Sequence, residues 1–140
     1  MAQAARTKPP TILIVEDQAI VRLELVERFE VLGLIALAAK DADEAIVTLD
    51  ASSDIELLLT DIKMPGSMDG IRLAHHVRDR WPPVKIIVLS GRLNTELGEL
   101  PRGSIFLSKP YDPEGLEQAI RFMLGGYVPP MTGARPSLRA

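Results

Sequence analysis

The sequence predicts an α/β fold with a doubly wound, five-stranded parallel sheet. Short apolar runs alternate along the chain with longer amphipathic segments, a pattern typical of the βα units that build a parallel sheet. Five such units fit the 140 residues, and this length suits one domain with an adequate core. Polar residues directly follow most of the apolar runs, at the positions where strands would end.

Five segments have the length and apolar content of buried strands. They are residues 11–15, 34–39, 55–60, 84–89 and 104–108. The first is followed by Glu16 and Asp17, the third by Asp61, the fourth by Ser90 and the fifth by Lys109. Because the carboxyl ends of parallel strands share one edge of the sheet, we expect these side chains to meet in one crevice.

Predicted helices connect these strands. The first covers about residues 18–32, where apolar side chains recur at helical spacing and Gly33 can end the helix. Asp41, with Glu44 three residues later, has the pattern of a capping box that begins the second helix. Asp69 is placed to cap the third helix, which must end before the Trp-Pro-Pro sequence that follows it.

The last helix and the chain ends complete the predicted domain. Asp112 followed by Pro113 predicts a helix start with a side-chain acceptor at the cap and a ring already set to helical φ. We expect residues 11–125 to form the folded domain. Residues 1–10 and 126–140 are expected to be flexible, because they are polar or rich in Gly and Pro and lack periodicity.

The composition excludes several functional classes. The formal net charge of −3 and the pI near 5.4 argue against a nucleic-acid-binding surface. Without cysteine the chain has no disulfide framework and no thiolate metal site. The polar, basic N-terminus does not resemble a signal peptide, and the longest apolar run, residues 31–39, is too short to span a bilayer. We therefore expect a cytoplasmic protein with no nucleic-acid or membrane partner.

Three acidic side chains are expected at the carboxyl edge of the sheet: Glu16, Asp17 and Asp61. Each alone would be interpreted as a solvated strand end. Together they repel one another by roughly 1 kcal/mol per close pair in water and about 4 kcal/mol at intermediate dielectric. A hard cation with oxygen ligands relieves that repulsion, which favours Mg²⁺, with Mn²⁺ as the alternative. Lys109 beside such a pocket becomes a candidate phosphoryl counterion, and Ser90 adds a hydroxyl donor.

Four stretches resemble the receiver domain, the phosphoacceptor module of two-component response regulators. They are ILIVED at 12–17, LLTDIKMP at 58–65 with MDG at 68–70, VLSG at 88–91, and FLSKPY at 106–111. The resemblance covers roughly residues 11–125, and the order and spacing of the stretches make it specific. It implies the flavodoxin-like (βα)5 fold with strand order 2-1-3-4-5.

The resemblance also implies how the site works. Asp61 would attack the phosphorus of a phosphohistidine, carried by a histidine kinase or a histidine phosphotransfer protein, and become an aspartyl phosphate. Mg²⁺ would be held by Glu16, Asp17, Asp61 and the backbone carbonyl of Lys63. The chain would then be a self-phosphorylating phosphoacceptor rather than a conventional turnover enzyme.

Three further residues acquire roles from the resemblance. Lys109 and Ser90 would bind phosphoryl oxygens, with Lys109 placed by a cis peptide bond to Pro110. Phe106 occupies the position of the switch aromatic that turns inward as the Ser90 loop moves, although a plain core role for Phe106 is equally compatible with the sequence. A downstream protein or a homodimer could use the switched surface.

The sequence departs from the family pattern in several places. The segment 92–103 has room for only a turn or two of helix where most receivers carry a longer fourth helix, as in receivers of hybrid histidine kinases and some stand-alone regulators. Lys63 and Arg92 hold the two positions that modulate dephosphorylation. Neither long cation can orient an attacking water as a carboxamide or carboxylate does, which predicts slow hydrolysis of the phosphoryl group. Glu16 stands where Asp is more frequent.

Alternative functions are less compatible with these residues. A flavodoxin-like cofactor binder needs phosphate-cradling donors after the first strand, where this chain has two carboxylates. A phosphatase with an aspartyl intermediate would carry an Asp-x-Asp motif there. A phosphorylation-independent interaction module with the same fold stays open, although Asp61 and Lys109 argue against it. His75 and His76 are adjacent on a helix and do not share a face, so we expect solvated or packing roles for them.

Overall fold

The computed structural model describes residues 8–91 and 100–126. Its strands are β1 (Thr11–Val15), β2 (Ile35–Ala39), β3 (Ile55–Asp61), β4 (Lys85–Ser90) and β5 (Ile105–Ser108). Its helices are α1 (Ala19–Val31), α2 (Ala42–Ala51), α3 (Gly70–Arg80) and α4 (Pro113–Met123). None of these helices is long and apolar enough to cross a membrane. Arg92, most of the predicted short helix at 92–103 and most of both predicted chain ends lie outside the described residues.

The strands form one sheet with the order β2-β1-β3-β4-β5, and each neighbouring pair is parallel. This is the predicted doubly wound, flavodoxin-like arrangement. β1 lies between β2 and β3, and all 5 of its residues are buried. Because the strands run in one direction, their carboxyl ends lie at the same edge of the sheet, as the site requires.

Each face of the sheet carries a hydrophobic core. Successive side chains of a strand point to opposite faces, so Ile12 and Ile14 pack with α1 and α4, while Leu13 and Val15 pack with α2 and α3. The first core also contains buried residues of its two helices: Leu25, Phe29, Leu116, Ile120 and Met123. The second core contains their counterparts on the other face: Ala42, Ala45, Leu49, Leu73, Ala74 and Val77.

Two predicted N-caps are present as hydrogen bonds. The Glu44 backbone N–H donates to Asp41 Oδ1 at 2.9 Å, and the Lys40 N–H donates to Glu44 Oε1 at 2.8 Å. The capping box of α2 is therefore confirmed, with its returning bond made to the residue before the cap. At α3 the Arg72 N–H donates to Asp69 Oδ1 at 2.9 Å. These bonds satisfy N–H groups that the first turn of a helix leaves without partners.

The predicted side-chain cap of α4 is wrong. Asp112 is the N-cap residue and Pro113 begins the helix, but the Asp112 side chain makes no capping hydrogen bond. Pro113 presets the helical φ and has no N–H of its own to satisfy, which favours a helix start at this residue. The N–H groups of the next two residues, which a side-chain cap would serve, receive no bond from Asp112. Two strand ends also differ slightly from the prediction, because Asp61 and Ser90 are the last residues of β3 and β4 rather than the first residues after them.

The two aspartate caps should differ in their contribution to stability. Asp41→Ala is expected to lower the free energy of unfolding by about 1 kcal/mol, because the Glu44 N–H loses its acceptor. Asp112→Ala is the matched control and should cost clearly less, since no capping bond is lost. Urea unfolding followed by circular dichroism measures both, and equal losses would contradict this interpretation of the caps.

Candidate functional site

Three carboxylates converge at the carboxyl edge of the sheet. Glu16 and Asp17 follow β1, and Asp61 ends β3, the strand that pairs with β1. One carboxylate oxygen of each residue lies within 4.8 Å of the others. The predicted cluster is therefore present in the structure, and its oxygen atoms are the kind of ligand that Mg²⁺ prefers.

Lys109 contributes a positive charge to this cluster. Its Nζ lies 3.2 Å from Asp61 Oδ2 and 3.8 Å from Glu16 Oε1. The Lys109 backbone N–H donates to the Ser90 carbonyl at 2.7 Å, which holds the end of β5 against the end of β4. The Lys109–Pro110 peptide bond is cis, as the resemblance implied. One ammonium thus faces three carboxylates.

The Glu16 side chain is almost fully enclosed, with 2% of the residue exposed. Its Oε2 accepts a hydrogen bond from the Gln18 backbone N–H at 2.9 Å. Burial raises the pKa of Glu16 above its ordinary value; the Gln18 hydrogen bond and Lys109 oppose that rise, and the charges of Asp61 and Asp17 add to it. The ionised carboxylate is therefore costly in this position, and a bound cation would lower that cost.

Asp61 has both carboxylate oxygens engaged. Oδ1 accepts from the Ile62 backbone N–H at 3.0 Å, and Oδ2 pairs with Lys109. The side chain is 12% exposed, so it lies at the surface of the crevice rather than in the core. The Thr60 hydroxyl donates to the Asp61 carbonyl at 2.9 Å. These contacts fix the orientation of the Asp61 carboxylate at the edge of the sheet.

The remaining predicted site residues lie around this cluster. Ser90 is buried at the end of β4, one residue beyond the partner of Asp61 in the ladder. Phe106 lies in β5, half-buried, against the core formed with α2 and α3. Lys63 is exposed in the segment after β3. The packing role expected for His76 is confirmed, since its ring makes a T-shaped contact with Trp81.

Gly70 supports the site in a way that the residue pattern did not reveal. A Cβ at this position would overlap the Asp61 carbonyl and crowd the Ile62 backbone. The Gly70 N–H donates to the Ile62 carbonyl at 2.8 Å, so the start of α3 lies directly on the end of β3. Only glycine allows this approach. In the sequence, Gly70 was marked by its place after the Asp69 cap and within the MDG stretch, and neither signal shows that its Cα lies against the Asp61 backbone.

Arg22 is a second residue that sequence reasoning missed. Its Nη1 donates to the Glu16 carbonyl at 2.8 Å and lies 3.5 Å from the Asp17 carbonyl. The side chain thus crosses from α1 to the backbone that carries two of the three carboxylates. An arginine on an amphipathic helix is ordinarily a surface residue, and the residue pattern gave no reason to single it out.

Comparison with known proteins assigns this arrangement to a family. The family model described as the response regulator receiver domain matches residues 12–121. The chain belongs to the response regulator receiver family. A receiver protein from Sinorhizobium medicae WSM419 has the same fold, with a TM-score of 0.78, 26% identity, and coverage of 86% of this chain and 98% of that one.

Curated relatives are longer than this chain. The aerobic respiration control protein ArcA of Escherichia coli K12 is 34% identical over 118 residues, which are 82% of this receiver and 48% of ArcA. The hydrogenase transcriptional regulatory protein HoxA of Cupriavidus necator is 32% identical over 122 residues, 81% of this receiver and 24% of HoxA. The likeness therefore concerns the receiver module and not the remaining parts of those proteins.

The close approach at Gly70 can be tested by mutation. Gly70→Ala should lower the free energy of unfolding by about 1–3 kcal/mol, because the methyl group must displace the Asp61 or Ile62 backbone. Gly115→Ala is the matched control at another first helical turn, where a Cβ would meet only Asp112 side-chain atoms at ordinary distance. It should be neutral or stabilising by up to about 1 kcal/mol. Equal effects in urea unfolding would contradict the argument.

The carboxylate cluster predicts that Asp17→Asn raises the stability of the metal-free protein and removes the stabilisation by Mg²⁺. In metal-free buffer, Asp17→Asn should stabilise the receiver by about 1 kcal/mol, because one like-charge repulsion is removed. Added Mg²⁺ should raise the Tm of the native chain and leave that of Asp17→Asn almost unchanged. The control is Asp79→Asn on α3, which should respond to Mg²⁺ like the native chain; a Mg²⁺ response retained in Asp17→Asn would contradict the cluster as the metal site.

Proposed function

We propose that this receiver accepts a phosphoryl group on Asp61 from the phosphohistidine of a histidine kinase or a histidine phosphotransfer protein. The observation that carries the proposal is the position of the Asp61 carboxylate between two other carboxylates and the Lys109 ammonium. Such a set both attracts a divalent cation and supplies a counterion for an anionic group. The Asp61 side chain lies at the carboxyl edge of the sheet and keeps 12% of its surface exposed.

The proposed chemistry is an in-line displacement at phosphorus. A carboxylate oxygen of Asp61 forms the new O–P bond while the P–N bond to the donor imidazole breaks, and the bonding electron pair returns to the ring nitrogen. The formal negative charge of the Asp61 carboxylate thus leaves with that electron pair to the released ring nitrogen, where a proton neutralises it, and the phosphoryl group keeps its own charge. Lys109, already paired with Asp61 Oδ2, then pairs with a phosphoryl oxygen, and the Ser90 hydroxyl donates to another.

The residues at the site fit Mg²⁺, with Mn²⁺ as the alternative. Glu16, Asp17, Asp61 and the Lys63 carbonyl would hold the ion. The three carboxylates lie close together and one of them, Glu16, is buried, so a bound cation would relieve their mutual repulsion. When bound, the ion neutralises charge on the group being transferred. Glu16 Oε2 accepts the hydrogen bond from the Gln18 N–H. The other carboxylate oxygen, Oε1, is the one that lies near Lys109.

Phosphorylation would be read out through Ser90 and Phe106. Ser90 ends β4 and pairs with Ser108, whereas Phe106 lies on the neighbouring strand β5 opposite Val88, two residues before that pair. Half-buried Phe106 packs at the margin of the core rather than inside it, and its ring would move inward as the Ser90 backbone moves toward the phosphoryl group. The resulting population shift would change the surface offered to a downstream protein or to a second receiver.

Intact-mass analysis after incubation with acetyl phosphate tests the acceptor. The native receiver should gain one phosphoryl group only when Mg²⁺ is present. Asp61→Asn should gain none, because the nucleophilic oxygen is replaced by an amide. Asp79→Asn serves as the matched control and should be modified like the native chain, since Asp79 is exposed on α3 and remote from the cluster in sequence.

The outcomes separate the two functional classes. An adduct that needs both Mg²⁺ and Asp61 supports the phosphoacceptor. No adduct on a folded native chain would favour an interaction module that works without phosphorylation. An adduct that persists in Asp61→Asn would move the acceptor to another residue.

The lifetime of the adduct tests the role of Lys63. Its long side chain ends in an ammonium and cannot accept a hydrogen bond from an attacking water. After removal of acetyl phosphate, the adduct should therefore decay slowly. Mass spectra collected over time measure the decay, and a half-life of only seconds would contradict the expectation.

A further inference from the structure

Arg22 makes contacts that the phosphotransfer chemistry does not require. It lies in the first turns of α1, and its guanidinium turns back toward the end of β1. Nη1 donates to the Glu16 carbonyl at 2.8 Å and lies 3.5 Å from the Asp17 carbonyl. These carbonyls belong to the two consecutive residues whose side chains supply two of the three clustered carboxylates.

The turn that carries this acidic pair is tied by backbone hydrogen bonds at both ends. The Glu16 N–H donates to the Ala39 carbonyl at 3.1 Å, and the Arg22 N–H donates to the Gln18 carbonyl at 2.9 Å. Gln18 is the N-cap of α1, yet its side chain makes no capping hydrogen bond, and its N–H donates to the Glu16 carboxylate. Arg22 adds the side-chain bond to the Glu16 carbonyl at this turn.

We propose that Arg22 is a positioning residue that fixes the backbone of Glu16 and Asp17, so that their carboxylates stay together with Asp61. The inference rests on the metal site of the proposed function and deepens it. Like-charged carboxylates held within a few ångströms repel one another, and the backbone that carries them would relax outward if it were free. The Arg22 guanidinium, which donates to the backbone carbonyl of Glu16, restrains that relaxation without occupying a carboxylate oxygen.

The charge of Arg22 and its positioning role predict opposite changes in Mg²⁺ affinity when Arg22 is replaced. A guanidinium near a cation site repels Mg²⁺, so removal of the charge by itself would tighten Mg²⁺ binding. Loss of positioning instead weakens binding, because free energy is then spent on gathering the carboxylates. Outer partners of metal ligands typically contribute about 10-fold or more to metal affinity. The direction of the change in affinity therefore distinguishes the two roles.

The test is a Mg²⁺ titration by isothermal calorimetry on the full chain. Arg22→Met should weaken Mg²⁺ binding by about 10-fold. Arg22→Lys keeps the charge and one donor and should recover part of that loss. Arg28→Met is the matched control: it removes an exposed arginine from the last turn of the same helix and should bind Mg²⁺ like the native chain. Unchanged or tighter binding by a folded Arg22→Met chain would overturn the proposal.

A second measurement needs no metal. In metal-free protein, hydrogen exchange and the chemical shift of the Gln18 amide report the bond from Gln18 to the Glu16 carboxylate. Arg22→Met should raise the exchange rate and shift that resonance, while amides in the middle of α1 keep their protection. An unchanged Gln18 amide would overturn the positioning role. If the native chain binds no Mg²⁺, the proposed metal site fails, and the Gln18 amide alone decides whether Arg22 holds the turn.

Discussion

The ion pair between Lys109 and Asp61 is the interaction on which the rest of the site depends. It sets one ammonium, 3.2 Å from its partner, against three carboxylates within 4.8 Å of one another. Such a group is unfavourable in isolation, since each close like-charge pair costs roughly 1 to 4 kcal/mol depending on its exposure to water. The parallel sheet imposes the arrangement, because β1, β3 and β5 all end at this edge. The fold therefore supplies the energy that keeps the charges together.

The parts of this structure that sequence predicted are those with a local physical cause. The strand of residues 11–15 is fully buried and contains only apolar residues after Thr11. It was located without error, because burial on both faces makes such a strand a continuous apolar run. The capping box at Asp41 needs only residues within one turn. The meeting of Glu16, Asp17 and Asp61 followed from strand direction alone. Each of these inferences used spacing along the chain and one rule about geometry.

The parts that sequence missed depend on how closely one element packs against the end of the element before it. The need for glycine at position 70 comes from the Asp61 carbonyl at the end of the preceding strand, and the spacing of residues does not give that distance. The contact of Arg22 with the Glu16 carbonyl depends on the direction in which one long side chain turns. The missing cap at Asp112 shows the reverse case, in which a strong local signal placed the helix correctly but the expected side-chain bond is absent.

The sheet divides the interior into two cores, and neighbouring residues of β5 pack in different ones. Phe106 packs on the side of α2 and α3, whereas its strand neighbours Ile105 and Leu107 pack with α1 and α4. The sheet between them is close-packed, so it transmits strain, but the Phe106 ring makes its direct core contacts in one layer only. A rearrangement of that ring would therefore change side-chain contacts first on the side of α2 and α3. In the proposed function, a donor docked against the opposite face would meet the surface that such a rearrangement changes less.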